Sequence, residues 1–241
     1  MEQSPPAEVV NEHHHRKVQG GAARAAVFGI SDGLVSNVSL ILGVAGAHPT
    51  AGVVRLAGLA GLVSGAFSMA AGEYVSMRAQ TELLERELEL ERIEIHRNPE
   101  NERRELAAIY RQRGVAPDTA EELAREMMGD PDRALETHAR EELGIDPNEL
   151  GSPTAAAGSS FLAFGCGAVL PLLPWFFTEG AAATIASVVI GAAAAIAIGL
   201  ALSAFTGRSA VRSALRQLLI AGAAAGVTYA VGRAVGVGAL S

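Results

Sequence analysis

The sequence has little cysteine: Cys166 is the only one among 241 residues, and it lies in an apolar segment. A single thiol excludes a disulfide within this chain and a metal centre built from several cysteines. The first 21 residues are polar and lack the apolar core of a cleaved signal peptide. Any metal ligands must therefore come mainly from other side chains.

The motifs of common enzymes are also missing. No Ser-His-Asp order, Gly-rich phosphate loop or zinc-ligand spacing occurs. Di-iron carboxylate oxidases carry Glu-x-x-His on two helices. Here Leu135 stands three residues before His138, and Ile93 stands three before His96. We expect a protein that is not an enzyme and that has no prosthetic group.

Hydrophobic residues are abundant and charge is segregated. They make up 49% of the chain, and the mean hydropathy is +0.26, which is typical of a membrane protein with a soluble part. Residues 78–150 hold 20 of the 26 acidic and 11 of the 19 basic residues, a net charge of −9. An acidic region of this kind argues against nucleic acid as a partner and suits cations.

Five apolar segments are long enough to cross a bilayer, for which about 20 residues suffice. We predict spans at residues 25–47, 53–77, 155–177, 181–205 and 214–238. The fold class is thus all-α, a five-span membrane protein with a helical domain between spans two and three. The predicted divisions are a polar tail (1–24), spans one and two (25–77), the helical domain (78–150) and spans three to five (151–241).

Basic residues in the short loops indicate the orientation, because they favour the cytoplasmic side. Arg16, Lys17 and Arg24 precede the first span, and Arg208 and Arg212 lie between spans four and five. We expect the N-terminus and the 78–150 domain in the cytoplasm. The Ala- and Gly-rich composition suggests a bacterial protein, hence the inner (cell) membrane.

The second span continues into water without a break. Residues 73–98 contain no Pro or Gly and are rich in Leu, Glu, Arg and Gln, all good helix formers. One helix is therefore predicted from near Val53 to near His96. Its polar half places Glu91 and Glu94 on partly apolar stripes, where a carboxylate needs a cation as partner.

Three shorter helices are predicted after it. The first covers residues 99–113. The second begins at Asp118, which forms a capping box with Glu121. The third begins with Asp130 as cap and is ended by Gly144.

Two residues in the spans and one at their edge are candidates for an ion path. Asp32 lies in the first span, and Met69 and Glu73 lie one turn apart in the second. An acidic side chain in a span is rare and often belongs to an ion or proton path. The alternatives are a hydrogen-bonded carboxylate joining two helices, a Glu73 at the headgroups, and a Met69 that fills the core.

Six residues of the 78–150 domain are candidate metal ligands because they lie on partly apolar helix stripes. They are Glu91, Glu94, Glu102, Glu105, His138 and Glu142. Carboxylates at i, i+3 on facing helices can converge on one hard or borderline divalent ion. The alternative, a solvated Glu-rich helix, applies to the glutamates with polar neighbours, namely Glu85, Glu89, Glu121 and Glu126.

Two motifs carry a family resemblance. DGLVSN at 32–37 and GAFSMAAGEYVS at 65–76, with PLLP at 171–174, resemble the vacuolar iron transporter family from about Arg24 onward. The resemblance implies a homodimer that exports Fe²⁺ or Mn²⁺ from the cytosol in exchange for protons. Pathway residues of the family match Asp32 and Met69, with Glu73 nearby.

The resemblance also implies metal-binding carboxylates in the cytoplasmic domain. They match Glu91, Glu94, Glu102, Glu105 and Glu142. The chain departs from the family at one point, since His138-Ala139 stands where plant members carry a Met pair. His138 can replace the thioether as a ligand.

Three functions follow as hypotheses. The first is a transporter of Fe²⁺ or Mn²⁺ whose partners are divalent ions, the lipid bilayer and a second copy of the chain. The second is a membrane-anchored metal buffer or sensor. A mere anchor does not need an acidic residue in the middle of a span. The third is an iron-oxidising enzyme, which ferric product formed from Fe²⁺ in air would reveal.

Overall fold

The computed structural model describes residues 21–148 and 150–238, and every regular element in them is helical. The predicted tail, with Arg16 and Lys17, lies largely outside the described residues. The helices are α1 (Gly21–Gly46), α2 (Ala51–Arg97), α3 (Pro99–Gln112), α4 (Pro117–Met127), α5 (Pro131–Glu141), α6 (Pro153–Val169), a 3₁₀ helix (Leu170–Phe176), α7 (Gly180–Thr206) and α8 (Ala210–Gly238).

Five of these segments are long and apolar enough to cross a membrane: α1, α2, α6 with its 3₁₀ extension, α7 and α8. The all-α, five-span prediction is confirmed at that level. Helix α1 is central, since it packs against α6, α8, α2 and α7. Its Leu34 and Ile41 are fully buried.

Glycines let α1 and α6 approach at backbone distance. A Cβ on Gly33 would collide with the backbone of Phe164, and one on Gly167 would collide with the carbonyl of Ile30. Gly29 of α1 likewise lies against the carbonyl of Ser160 on α6. Close backbone contact of this kind is how helices pack in lipid.

The third span changes helix type at its prolines. Helix α6 ends at Val169 and continues as a 3₁₀ helix that contains Pro171 and Pro174. Ser187 of α7 donates a hydrogen bond of 2.7 Å to the Pro171 carbonyl and accepts one of 3.0 Å from Trp175 Nε1. A neighbouring helix thus satisfies the carbonyl near the bend, as expected for proline in a span.

Helix α2 runs unbroken for 47 residues, which confirms the predicted long helix. Its C-terminal half packs against α5 and α3. Ile95 forms a small core with Ala134 and Leu135 of α5. The structure therefore holds α5 against the polar end of the same helix that begins among the spans.

One predicted cap is wrong. Helix α4 begins at Pro117 after Ala116, with no side-chain cap, so Asp118 lies inside its first turn and Glu121 forms an ion pair with Arg103 of α3. The reason is that the fixed φ of proline suits the first helical position, so the helix starts before Asp118. The predicted cap of α5 is confirmed, since Asp130 accepts from the backbone N–H of Arg133 at 2.9 Å.

Candidate metal-ion sites

Three candidate ligands converge where α5 packs on α2. Glu91 Oε1 lies 3.0 Å from His138 Nδ1, and Glu142 Oε2 lies 3.3 Å from the same nitrogen. One donor atom from each of the three residues lies within 4.8 Å of the others. We call Glu91, His138 and Glu142 the ligand cluster.

Two of the three residues of the ligand cluster, Glu91 and His138, are buried, whereas Glu142 is exposed. His138 is fully buried and Glu91 is 5% exposed. Among the described residues, His138 Nε2 has no hydrogen-bond partner, and the 3.0 Å contact between Glu91 Oε1 and His138 Nδ1 is an ion pair by distance that lacks the geometry of a hydrogen bond. A buried polar atom without a partner is costly, and a cation bound between Glu91 and His138 would relieve the carboxylate.

Glu102 of α3 adds a third acidic group beside the ligand cluster. It is 4% exposed. Burial raises its pKa, and the negative charges of Glu91, Glu105 and Glu94 raise it further against the opposing effect of His138. A nearby cation would oppose this rise by stabilising the charged form of the carboxyl.

The histidine compensates for only part of the negative charge. Burial would lower the pKa of His138, but the Glu91 and Glu142 carboxylates outweigh burial and raise it. Burial also raises the pKa of Glu142, with His138 opposing and Glu91 adding to the rise. The site therefore combines one nitrogen with carboxylate oxygens, a donor set that suits borderline divalent ions.

Glu94 and Glu105 are exposed, and they lie outside the ligand cluster. Their charges nevertheless act on Glu102, as the rise in its pKa shows. Of the six candidate ligands, the structure thus brings Glu91, His138 and Glu142 together, with Glu102 electrostatically coupled to them. This geometry gives Glu94 and Glu105 an electrostatic effect on the site.

The candidates in the spans lie on two helices. Asp32 on α1 is half-buried, and its Oδ1 accepts a hydrogen bond of 3.1 Å from Ser36. Met69 on α2 is half-buried and packs against the cluster of Ala66 and Phe164. Met69 therefore has a packing role whatever else its sulfur does.

Glu73 is paired. Arg24 Nη2 of α1 lies 3.3 Å from Glu73 Oε2 of α2. In the sequence, Arg24 indicates only on which side of the membrane the N-terminus lies, and no pattern there predicts its pairing with Glu73. Helical spacing relates residues on one helix, and it carries no information about which residues of two helices meet.

Asn37 is a buried polar residue that the sequence analysis did not single out. It is 1% exposed, and its Nδ2 donates a hydrogen bond of 2.6 Å to the carbonyl of Ala168. Within the described part of the chain its Oδ1 has no partner, and a Cβ on Gly61 would lie 3.0 Å from it. Its place at the end of the DGLVSN motif was the available signal.

Comparison with known proteins decides the family. The pattern that defines the VIT family matches residues 23–233. The chain belongs to the VIT family. It is 31% identical over 229 residues to "Vacuolar iron transporter 2" of Oryza sativa subsp. japonica, covering 94% of this chain and 93% of that protein. It is 30% identical over 234 residues to "Vacuolar iron transporter 1" of Arabidopsis thaliana, covering 96% and 94%.

A further VIT relative is more similar over a shorter region. "Vacuolar iron transporter" of Acanthamoeba castellanii is 41% identical over 169 residues, which is 68% of this chain and 60% of that protein. The resemblance drawn from the two sequence motifs is thereby confirmed. Membership and the five apolar helices make the chain an integral membrane protein of a transporter family.

Proposed function

We propose that this protein exports Fe²⁺, Mn²⁺ or both from the cytosol across the membrane in exchange for protons. One observation carries the proposal: the ligand cluster is built on the polar end of α2, the same unbroken helix that holds Met69 and Glu73 among the spans. The named activity of the VIT relatives, iron transport, supports it.

The route begins at the ligand cluster. Glu91, His138 and Glu142 capture the ion, with Glu102 adding charge. Glu73 lies 18 residues back along α2, about 27 Å at the helical rise. From there the ion passes Met69 and reaches Asp32 between the spans.

The donor types favour Fe²⁺ and Mn²⁺ over Mg²⁺. An imidazole in the ligand cluster and a thioether at Met69 are softer donors than the oxygen ligands that Mg²⁺ prefers. Mg²⁺ also loses its water reluctantly. A cytosol rich in Mg²⁺ is therefore compatible with selective export.

Proton exchange would act at the span carboxylates. Protonation of Asp32 or Glu73 from the far side removes the charge that holds the ion and so releases it. Flux should then depend on a pH gradient across the membrane. Flux that is indifferent to that gradient would remove this part of the proposal.

A second copy of the chain completes the path. Asp32 and Ser36 lie on a side of α1 that is only partly covered, and Ser36 is exposed. A carboxylate facing lipid is costly, so a polar surface from another protomer is the better neighbour. We propose a homodimer in which the two α1 helices face each other.

The proposed location is the inner membrane of a bacterial cell, with the N-terminus and helices α3 to α5 in the cytoplasm. Arg208, Arg212 and Arg24 flank the spans on that side. The acidic helices then face the compartment from which the ion is taken. We propose 78–150 as the metal-binding domain, since it contains all the ligand-cluster residues.

Metal flux into proteoliposomes tests the function. Fe²⁺ and Mn²⁺ uptake by the wild type is compared with Asp32→Ala, with Glu91→Gln, and with Glu85→Gln as a control on an exposed carboxylate of the same helix. We expect flux to be lost with Asp32→Ala, weakened at low metal concentration with Glu91→Gln, and unchanged with Glu85→Gln.

The competing function is a membrane-anchored metal buffer or sensor. The ligand cluster is compatible with it, since binding alone needs no path. It would be supported by a wild type that binds metal stoichiometrically and shows no flux. The mid-span carboxylate of Asp32 favours transport, because an anchor does not require it.

A further inference from the structure

Arg24 and Glu73 form an ion pair that joins the first two spans. Their closest atoms, Arg24 Nη2 and Glu73 Oε2, are 3.3 Å apart. The Glu73 side chain is only 14% exposed, whereas that of Arg24 is 61% exposed. The carboxylate is thus largely enclosed, and its basic partner is largely exposed.

The pair lies at the entrance to the spans on the side of the ligand cluster. Met77, one turn beyond Glu73 toward the ligand cluster, packs against Ala25 of α1 and Ala156 of α6. Met69 lies one turn from Glu73 in the opposite direction. An ion that follows α2 from the ligand cluster therefore meets Glu73, with Arg24 on it, before it meets Met69.

A cavity next to Arg24 could receive its guanidinium when the ion pair with Glu73 is broken. Arg24 also lines a cavity of about 380 Å³ whose far wall includes Leu202 and Thr206 of α7. Helix α7 ends at Thr206, and the last carbonyls of a helix carry partial negative charge. The mostly apolar cavity gives the stem of a displaced Arg24 space, and the end of α7 at its edge offers partial negative charge to the guanidinium.

We propose that Arg24 is an internal counter-cation for Glu73 that an incoming divalent ion must displace. The guanidinium moves toward the end of α7 when the ion binds and returns to Glu73 when the ion moves on. This role rests on the proposed transport and makes Arg24 a positioning residue that acts through Glu73. A dication gains about twice the attraction of a monovalent ion at the same carboxylate, so the competition disfavours Na⁺ and K⁺.

The test measures Mn²⁺ flux into proteoliposomes as a function of concentration. Removing the internal competitor with Arg24→Gln should lower the apparent KM roughly two- to fivefold, the range expected from a partly exposed ion pair, without raising kcat. Arg24→Met removes the same charge while keeping an apolar stem, and it should behave alike. Arg78→Gln is the matched control, because Arg78 forms an exposed pair with Glu82 within α2, and its KM should stay at the wild-type value.

A double-mutant comparison separates competition from a general change of surface charge. In a Glu73→Gln background the KM should be raised, and adding Arg24→Gln should no longer lower it. If both Arg24 variants leave KM unchanged or raise it while kcat falls, Arg24 is a structural strut and the inference is wrong, although transport stands. A wild type without flux overturns the transport function and this role with it.

Discussion

At the scale of single residues, the most informative side chain is a histidine enclosed by acids. His138 is fully buried, and its Nδ1 faces Glu91 and Glu142 at 3.0 and 3.3 Å. A buried imidazole usually pairs with one acceptor, and this one has two carboxylates within reach. Two carboxylates and an imidazole nitrogen so close together are a donor set that suits a borderline divalent cation.

Replacing this imidazole should weaken metal binding. We expect His138→Gln to raise the dissociation constant for Mn²⁺ and Fe²⁺ by about tenfold or more, since even outer partners of a metal site contribute 10–100-fold. Calorimetry on the detergent-solubilised chain measures it. His96→Gln is the control, because His96 is exposed and its Nδ1 lies 2.7 Å from the backbone carbonyl of Arg92 on its own helix. Equal losses in both variants would contradict a ligand role for His138.

Glu102 should destabilise the metal-free protein at neutral pH. Its pKa is raised in the folded state, chiefly by burial, so the folded protein holds this proton to a higher pH than the unfolded chain does. Stability contributed by the protonated carboxyl is thus lost as pH rises through the folded pKa. Glu102→Gln should stabilise the metal-free protein at pH 7 by about 1 kcal/mol or more and much less at pH 5.

Thermal unfolding in detergent with a chelator measures this effect. Glu85→Gln serves as the control, because Glu85 is exposed on α2 and its removal should change stability little. An identical melting temperature for wild type and Glu102→Gln at pH 7 would refute the destabilisation assigned to the charged Glu102 carboxylate. With added Mn²⁺ the wild type should have the higher melting temperature of the two, since a bound ion compensates for the acidic charge of Glu102.

At the scale of helices, the contact between α1 and α6 depends on glycine. Gly33→Ala would place a methyl group against the backbone of Phe164, which cannot move aside as a flexible side chain can. We expect a loss of about 1–3 kcal/mol or failure to assemble, as in overpacked cores. Gly165→Ala on α6 is the control, because no atom lies within 4 Å of its added Cβ. Melting in detergent compares the two, and equal behaviour would contradict the close contact.

Helix positions could be predicted from the sequence because they depend on local patterns. The unbroken α2 follows from the absence of Pro and Gly in residues 73–98, and the cap at Asp130 follows from its side chain. The start of α4 was misplaced because Pro117 and Asp118 both favour a helix start, and the proline prevailed. In the 3₁₀ helix the Pro171 carbonyl accepts a hydrogen bond from Ser187 of another helix, and no local sequence pattern reveals such a partner.

The candidate site was predictable only in part. Apolar stripes predicted that six residues face neighbouring helices: Glu91, Glu102 and His138 are buried there, whereas Glu94, Glu105 and Glu142 are exposed. Which of them meet depends on how α5 docks on α2, and that is a property of the whole fold. The Arg24–Glu73 pair was invisible for the same reason.

At the scale of the whole molecule, the proposed dimer can be tested through α1. In a Cys166→Ser background, Ser36→Cys should form a covalent dimer with a short bifunctional thiol reagent, because Ser36 lies on the exposed side of α1 beside Asp32. Val188→Cys on α7 is the control: it is 47% exposed, and we expect it to face lipid. Gel electrophoresis after reaction in membranes reads the result. Equal yields at both positions would mean random collision, and no dimer at Ser36 would count against an α1 interface.

The continuity of α2 makes it a mechanical lever. At 47 residues it is about 70 Å long, and Glu91 lies about 60 Å from its start. A tilt of only about 5° around that start would carry Glu91 sideways by about 5 Å, far more than its 3.0 Å separation from His138 allows. Unless α5 moves together with α2, Glu91 can stay close to His138 and Glu142 at only one inclination of the span. Ion binding at the polar end of α2 therefore favours one inclination of its membrane end. By reciprocity, the inclination of the span sets how tightly the ion is held.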